Sequence, residues 1–105
     1  MATTKGYIDF ILEQLSGLED ISCRAMMGEY VLYYRGRIFG GVYDDRLLVK
    51  PTPAACAKMP LAARELPYEG AKELLLVDDV DDRDFLRELV ESMFLELPEP
   101  KKRKL

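Results

Sequence analysis

A run of five aspartates is the densest group of potential metal ligands in the chain: Asp78, Asp79, Asp81, Asp82 and Asp84. Clustered carboxylates bind hard divalent cations such as Ca²⁺ and Mg²⁺. The run lacks the glycine and the distal glutamate of an EF-hand loop, whereas carboxylates are favoured in the first turn of a helix. We therefore interpret the run as a helix start, and we expect neither a metal nor a cofactor.

Nucleophilic chemistry has few candidates, because the chain contains no histidine. This composition excludes Ser-His-Asp triads, Cys-His dyads and zinc sites with histidine ligands. Cys23 is followed by Arg24, but neighbouring residues of a strand point to opposite faces, so the arginine need not activate the thiol. We expect Cys23 and Cys56 to be free, packed thiols and the protein not to be an enzyme.

Basic residues are concentrated at the C-terminus. The net charge is -4, and removing the four positive charges of the tail leaves -8 for the first 100 residues (11 basic against 19 acidic). Two groups are candidate phosphate contacts: Arg35, Arg37 and Arg46, and Lys101, Lys102, Arg103 and Lys104. They support an alternative role as a weak nucleic-acid-associated regulator, although a solvated tail explains the same charges.

Five aromatic residues fall within one strand-rich stretch: Tyr30, Tyr33, Tyr34, Phe39 and Tyr43. A protein interface, including that of a homodimer, is our first interpretation, and core packing is the second. Stacking of single-stranded bases is the third. The protein partner itself cannot be named from the sequence.

The elements that position these residues begin with a strand-rich middle. Segments 23–27, 29–34, 37–43 and 46–50 are rich in β-branched and aromatic residues. Arg35-Gly36 suits a tight hairpin turn, and Asp44-Asp45 can form the next one. Gly40-Gly41 inside the third strand indicates a bulge or a close approach by another group. An antiparallel meander is expected.

Helices flank the meander on both sides in sequence. Apolar spacing predicts a first helix over about 4–16, and Thr52-Pro53 predicts a short helix over 53–59. Residues 61–70 are predicted to form an extended connection and 72–77 another strand. Asp81 is the predicted N-cap of a last helix, which ends before Pro98.

The element order, α-β-β-β(-β)-α-β(-β)-α, predicts an α+β fold with two layers, in which helices cover one face of the sheet. We expect one domain over residues 1–98 and a basic tail over 99–105. No apolar stretch approaches the length of a membrane span, and no export signal opens the chain. The predicted location is cytoplasmic, without membrane contact.

The central run resembles the N-terminal domain of the TfoX/Sxy family of competence regulators and their single-domain relatives. The residues that carry this resemblance are Arg24, Met26-Met27-Gly28, Tyr30, Leu32-Tyr33, Gly36-Arg37, Phe39, Asp44-Asp45, Leu47, Lys50 and the segment 67–72. The resemblance implies a two-layer fold of the secretion-chaperone-like type and a role in transcriptional regulation. Family members commonly have Met-Phe-Gly-Gly-Tyr where this chain has Met-Met-Gly-Glu-Tyr.

Overall fold

The computed structural model describes residues 3–98, so the predicted basic tail lies outside the described residues. Its elements, in chain order, are α1 (Lys5–Gln14), β1 (Ile21–Met26), β2 (Glu29–Tyr34), β3 (Arg37–Val42), β4 (Leu47–Val49), α2 (Pro53–Lys58), β5 (Arg64–Glu65), β6 (Leu74–Leu76) and α3 (Arg83–Met93). A 3₁₀ turn, Phe94–Glu96, follows α3. No helix in residues 3–98 has the length and apolar character needed to cross a membrane.

The six strands form one antiparallel sheet in the order β1-β2-β3-β4-β6-β5. Both the α+β class and the meander predicted from the sequence are confirmed. The first four strands are neighbours in sequence and in space, because each is joined to the next by a two-residue turn. The long β1 and the two-residue β5 are the edges of the sheet.

The three turns of the meander share one backbone conformation. Met27-Gly28, Arg35-Gly36 and Asp44-Asp45 all have positive φ at both residues. Such turns match the right-handed twist of the flanking strands, and they favour Gly, Asn and Asp. In the third turn an aspartate also accepts a bond from the chain start, because Asp45 Oδ1 lies 2.9 Å from Thr4 N.

The hydrophobic core lies between the helices and one face of the sheet. Side chains from α1, α2 and α3 join a single cluster with alternate residues of the strands. The sheet contributes Leu32, Tyr34, Phe39, Val42, Leu47, Val49 and Leu75, and the helices contribute Ile8, Ile11, Ala55, Leu86, Leu89, Val90 and Met93. All three helices contribute to this cluster, so the opposite face of the sheet carries no helix.

The predicted irregularity at Gly40-Gly41 is confirmed in both of its forms. The β2–β3 register shifts between Leu32 and Tyr33, because Leu32 pairs with Gly40 while Tyr33 pairs with Ile38. The extra residue of this bulge, Phe39, turns its ring into the core. Beyond the bulge the normal alternation resumes, so that Gly41, which pairs with Val31 and Leu48, lies beneath the helix-free surface.

One local prediction was wrong and another was incomplete. The N-cap of α3 is Asp82 rather than Asp81, since its side chain accepts the bond from Phe85 N at 3.0 Å. The predicted extended connection includes a short strand, β5, which pairs with β6, so the region has both of the one or two strands that the predicted order allows. The start of α3 is held by contacts with α1, which is distant in sequence. Gln14 Nε2 donates to Val80 O at 2.8 Å, and Arg83 Nε donates to Gln14 Oε1 at 3.2 Å.

Candidate binding cleft

A cleft of about 480 Å³ opens on the helix-free face of the sheet. Ile38, Gly40 and Tyr43 line it from β3 and the turn that follows, and Lys50 and Pro51 line it from the end of β4. The segment before β6 and the first residue of β6 contribute a wall of six residues: Pro67, Tyr68, Ala71, Lys72, Glu73 and Leu74. The cleft therefore joins two parts of the chain that are distant in sequence.

Aromatic rings define the apolar part of the cleft. A Cβ atom on Gly41 would lie 2.5 Å from Tyr43 Cε2, which shows that the Tyr43 ring occupies the space over this glycine. Tyr68 lies opposite, with ring centroids 6.3 Å apart, and it is 57% exposed. Burial, and secondarily the neighbouring Tyr68 and Glu29, raise the pKa of Tyr43, so its hydroxyl stays protonated at neutral pH.

Lys50 gives the cleft a positive charge. Its side chain is partly buried, and this burial lowers the pKa of its ammonium group. Within residues 3–98 no carboxylate forms a salt bridge with it. An ammonium group that has lost water without gaining a carboxylate is suited to bind an anionic group of a ligand.

We expect Lys50→Met to raise the stability of the fold at pH 7, since the variant no longer buries a charge. The lowered pKa sets the sign of the pH dependence. Above the folded-state pKa the native lysine is neutral, so wild-type stability rises with pH until the unfolded-state value near 10.5 is reached. Urea unfolding at pH 7 and at alkaline pH checks this, and a gain that does not shrink at alkaline pH would contradict it.

Arg46, a predicted phosphate contact, holds the wall of the cleft. It pairs with Glu65 of β5, donates from Nε to Tyr43 O at 3.1 Å and reaches Leu66 O from Nη2 at 3.4 Å. These bonds connect the β3–β4 turn to the beginning of the wall segment. Arg46 therefore acts as a structural clamp in this fold.

The other two predicted arginines lie at the opposite end of β3. Arg37 Nη1 donates to Phe94 O at 3.1 Å and to Leu97 O at 3.2 Å, and its guanidinium lies 4.4 Å from the Phe94 ring centroid. Arg35 is exposed and lies 5.6 Å from the same ring. The fold does not bring Arg46 together with this pair, and Lys101, Lys102, Arg103 and Lys104 lie outside the described residues.

The five predicted interface aromatics have different positions. Phe39 has no accessible surface, so it serves the core, and Tyr34 is also buried there against Phe94. Tyr43 lines the cleft, while Tyr30 and Tyr33 are half-buried. Tyr68, which the sequence analysis did not select, is the more exposed aromatic of the cleft.

The cysteines and aspartates complete the predicted site residues. Cys56 is partly buried, but Cys23 is exposed, so the prediction of a packed thiol there was wrong. The reason is the position of β1 at the sheet edge.

The five aspartates line an open surface beside Phe10 and Gln14, and no group of three potential ligands within residues 3–98 is placed to hold a metal ion.

Sequence reasoning missed the cleft, because its two sides come from parts of the chain that are distant in sequence. Lys50 and the segment 67–72 are separated by a helix and a strand, and both belong to the residues that carry the family resemblance. In the fold they meet on one surface.

Comparison with known proteins found a matching family and a relative. The model of the TfoX N-terminal domain matches residues 13–93. The chain is also 33% identical over 105 residues to a Spirochaeta aurantia protein described as "Uncharacterized 12.7 kDa protein in trpE 5'region", and the match covers 99% of this chain and 91% of that protein. No solved structure matches the chain significantly.

Proposed function

Because this chain belongs to the TfoX N-terminal domain family, we propose that it is a regulatory module that works by binding other proteins and has no catalytic role. The observation that supports this proposal is the cleft on the helix-free face. Its aromatic, proline and aliphatic lining offers an apolar contact surface, and its single partly buried cation offers a point of recognition. A few polar groups in an apolar concave surface are typical of a binding site.

The occupant that fits best is a short segment of a partner protein with a carboxylate beside an apolar side chain. Lys50 would pair with the carboxylate, and Tyr43 and Tyr68 would contact the apolar group. The rest of the described surface is mainly acidic, so an acidic segment is attracted to this cleft more than to its surroundings. The cleft volume corresponds to a few side chains rather than to a folded domain.

Selection from a displayed library of random 12-residue peptides against the full chain tests this function. We expect enrichment of peptides that contain Asp or Glu next to an aromatic or aliphatic residue. Lys50→Ala and Tyr68→Ala should each weaken binding of the selected peptides by roughly tenfold or more, since both remove central contacts. Leu95→Ala is the matched control, because Leu95 is 86% exposed and lies outside the cleft.

The proposal fails if selection enriches no such peptides, or if Lys50→Ala and Tyr68→Ala bind them as the wild type does. The nucleic-acid alternative gains no support from the described residues. Arg37 and Arg46 already donate to oxygen atoms of their own chain. Phosphate contact by Arg35 and the tail stays a prediction.

A further inference from the structure

We propose that two copies of this chain associate through β1, which pairs antiparallel with β1 of the second copy and places the two Cys23 residues opposite each other. The two six-stranded sheets would then form one continuous sheet. This inference deepens the proposed function, since it names a second copy of the chain as one protein partner. It uses the sheet edge and is independent of the cleft.

The two edges of the sheet differ in how well they are protected against pairing. β5 is two residues long and both of its residues are charged. β1 has six residues, pairs with β2 without a bulge, and contains one charged residue and no proline. Short length, charge, proline and bulges are the devices that prevent edge pairing, so β1 is the open edge.

The hydrogen-bonding groups available on β1 follow from its pairing with β2. Arg35 N donates to Asp20 O at 3.0 Å, and this pair continues the β1–β2 register. Hydrogen-bonded positions alternate along an antiparallel strand. The backbone N–H and C=O groups of Ser22, Arg24 and Met26 therefore also point toward β2. The N–H and C=O groups that point away from the sheet belong to the remaining three residues, Ile21, Cys23 and Ala25. A second strand would use all six.

Two-fold symmetry restricts the register of such a pair. A two-fold axis perpendicular to the sheet relates each residue pair to an equivalent one, so some residue must lie opposite its own copy. Centring on Cys23 pairs Ile21 with Ala25 of the second copy, which matches outward groups on both strands. Centring on Arg24 would place two guanidinium groups directly opposite each other, and like charges in that position are unfavourable. The Cys23 register is therefore favoured.

The proposed register predicts a specific distance. The Cα atoms of a directly opposed, hydrogen-bonded pair are about 5.5 Å apart, within the range that a disulfide spans. The two Arg24 residues would each lie one position from the axis, on opposite sides, and this total offset of two positions gives a Cα separation of about 8 Å. A disulfide cannot form at that distance without movement of the backbone. Cysteines at these two positions therefore distinguish the register.

Thiol cross-linking of the full chain tests the proposal. With copper phenanthroline as the oxidant, the Cys56→Ser variant, which keeps Cys23, should form a covalent dimer. The triple variant Cys23→Ser, Arg24→Cys, Cys56→Ser should cross-link at least about tenfold more slowly, because its Cα atoms exceed the disulfide range. The Cys23→Ser variant with Cys56 intact controls for random collision, and sedimentation of the wild type under reducing conditions measures the non-covalent dimer.

Ala25→Pro provides a test that does not depend on cysteine. Its N–H points outward, so proline removes a donor of the dimer without removing an intrachain bond, and edge strands tolerate proline. We expect this variant to keep its circular dichroism spectrum and to lose both dimer and cross-link. A strictly monomeric wild type, faster cross-linking at position 24 than at 23, or a dimer that survives Ala25→Pro would each overturn the proposal. None of these results would affect peptide binding by the cleft.

Discussion

Replacing Gly40 by alanine is expected to lower the free energy of unfolding by about 3 kcal/mol or more. A Cβ atom at this position would lie 2.1 Å from Leu48 O and 2.8 Å from Val49 Cα. Both are backbone atoms of the neighbouring strand, so the added methyl group cannot be accommodated by a side-chain rotation. The β3–β4 pair would have to separate, which disrupts the middle of the sheet and the floor of the cleft.

Gly6→Ala is the matched control for this substitution. Gly6 lies in α1, and a Cβ atom there has no other atom within 4 Å. We expect its stability to be unchanged or raised by up to about 1 kcal/mol, because alanine is the better helix former. Urea unfolding followed by circular dichroism measures all three proteins. A Gly40→Ala variant as stable as Gly6→Ala would show that the sheet can absorb the methyl group.

The prediction of the meander from sequence succeeded because its causes are local. Each turn contains a glycine or an aspartate, which tolerate positive φ, and each strand shows an enrichment in β-branched and aromatic residues. Gly40-Gly41 was also interpretable, since two adjacent glycines in an otherwise apolar strand have few explanations. The sequence did not decide between a bulge and a close approach by another group. The structure shows that the bulge and the close approach occur together, with Phe39 as the extra residue.

Features that depend on distant contacts were not predicted. Asp81 and Asp82 are both good N-caps, and the choice between them accompanies the bonds from Gln14 and Arg83 around the helix start. β5 forms because its two residues pair with β6, and Arg46 forms a salt bridge with Glu65 of this strand. The cleft has the same character, since its two walls come together only in the fold. Local preference carries no information on such pairings.

Arg46 and Arg37 illustrate why charge was a poor guide to function. In the sequence they stand beside tight turns and suggest phosphate contact. In the fold, each guanidinium group donates to backbone carbonyl oxygens of its own chain, and Arg37 also packs on Phe94. Arginine has several donors and a planar face, so one side chain can tie a turn to a distant segment. An arginine at a hairpin is therefore as readily a structural tie as a ligand contact.

Glu29 shows how a departure from the family pattern can have a structural role of its own. It stands where family members commonly have glycine, and its Oε1 accepts three bonds: from Thr3 N at 3.0 Å, from Thr3 Oγ1 at 2.7 Å and from Asp44 N at 3.0 Å. One carboxylate thus joins the chain start to the β3–β4 turn. Met27, the other departure, is 98% exposed at the tip of its turn and has no comparable role.

We expect Glu29→Ala to lower the free energy of unfolding by about 2 kcal/mol, because three donors lose a charged acceptor at a partly buried site. Glu29→Gln keeps an oxygen without the charge, so roughly half of that loss should remain. Glu88→Ala, at an exposed position of α3, should change stability by less than about 0.5 kcal/mol. Urea unfolding gives these values, and hydrogen exchange adds a local measure, since the Asp44 amide should exchange faster in Glu29→Ala. If Glu29→Ala is as stable as Glu88→Ala and the Asp44 amide stays protected, the bonds of Thr3 and Thr4 to Gly28 O, Val42 O and Asp45 are enough to hold this segment.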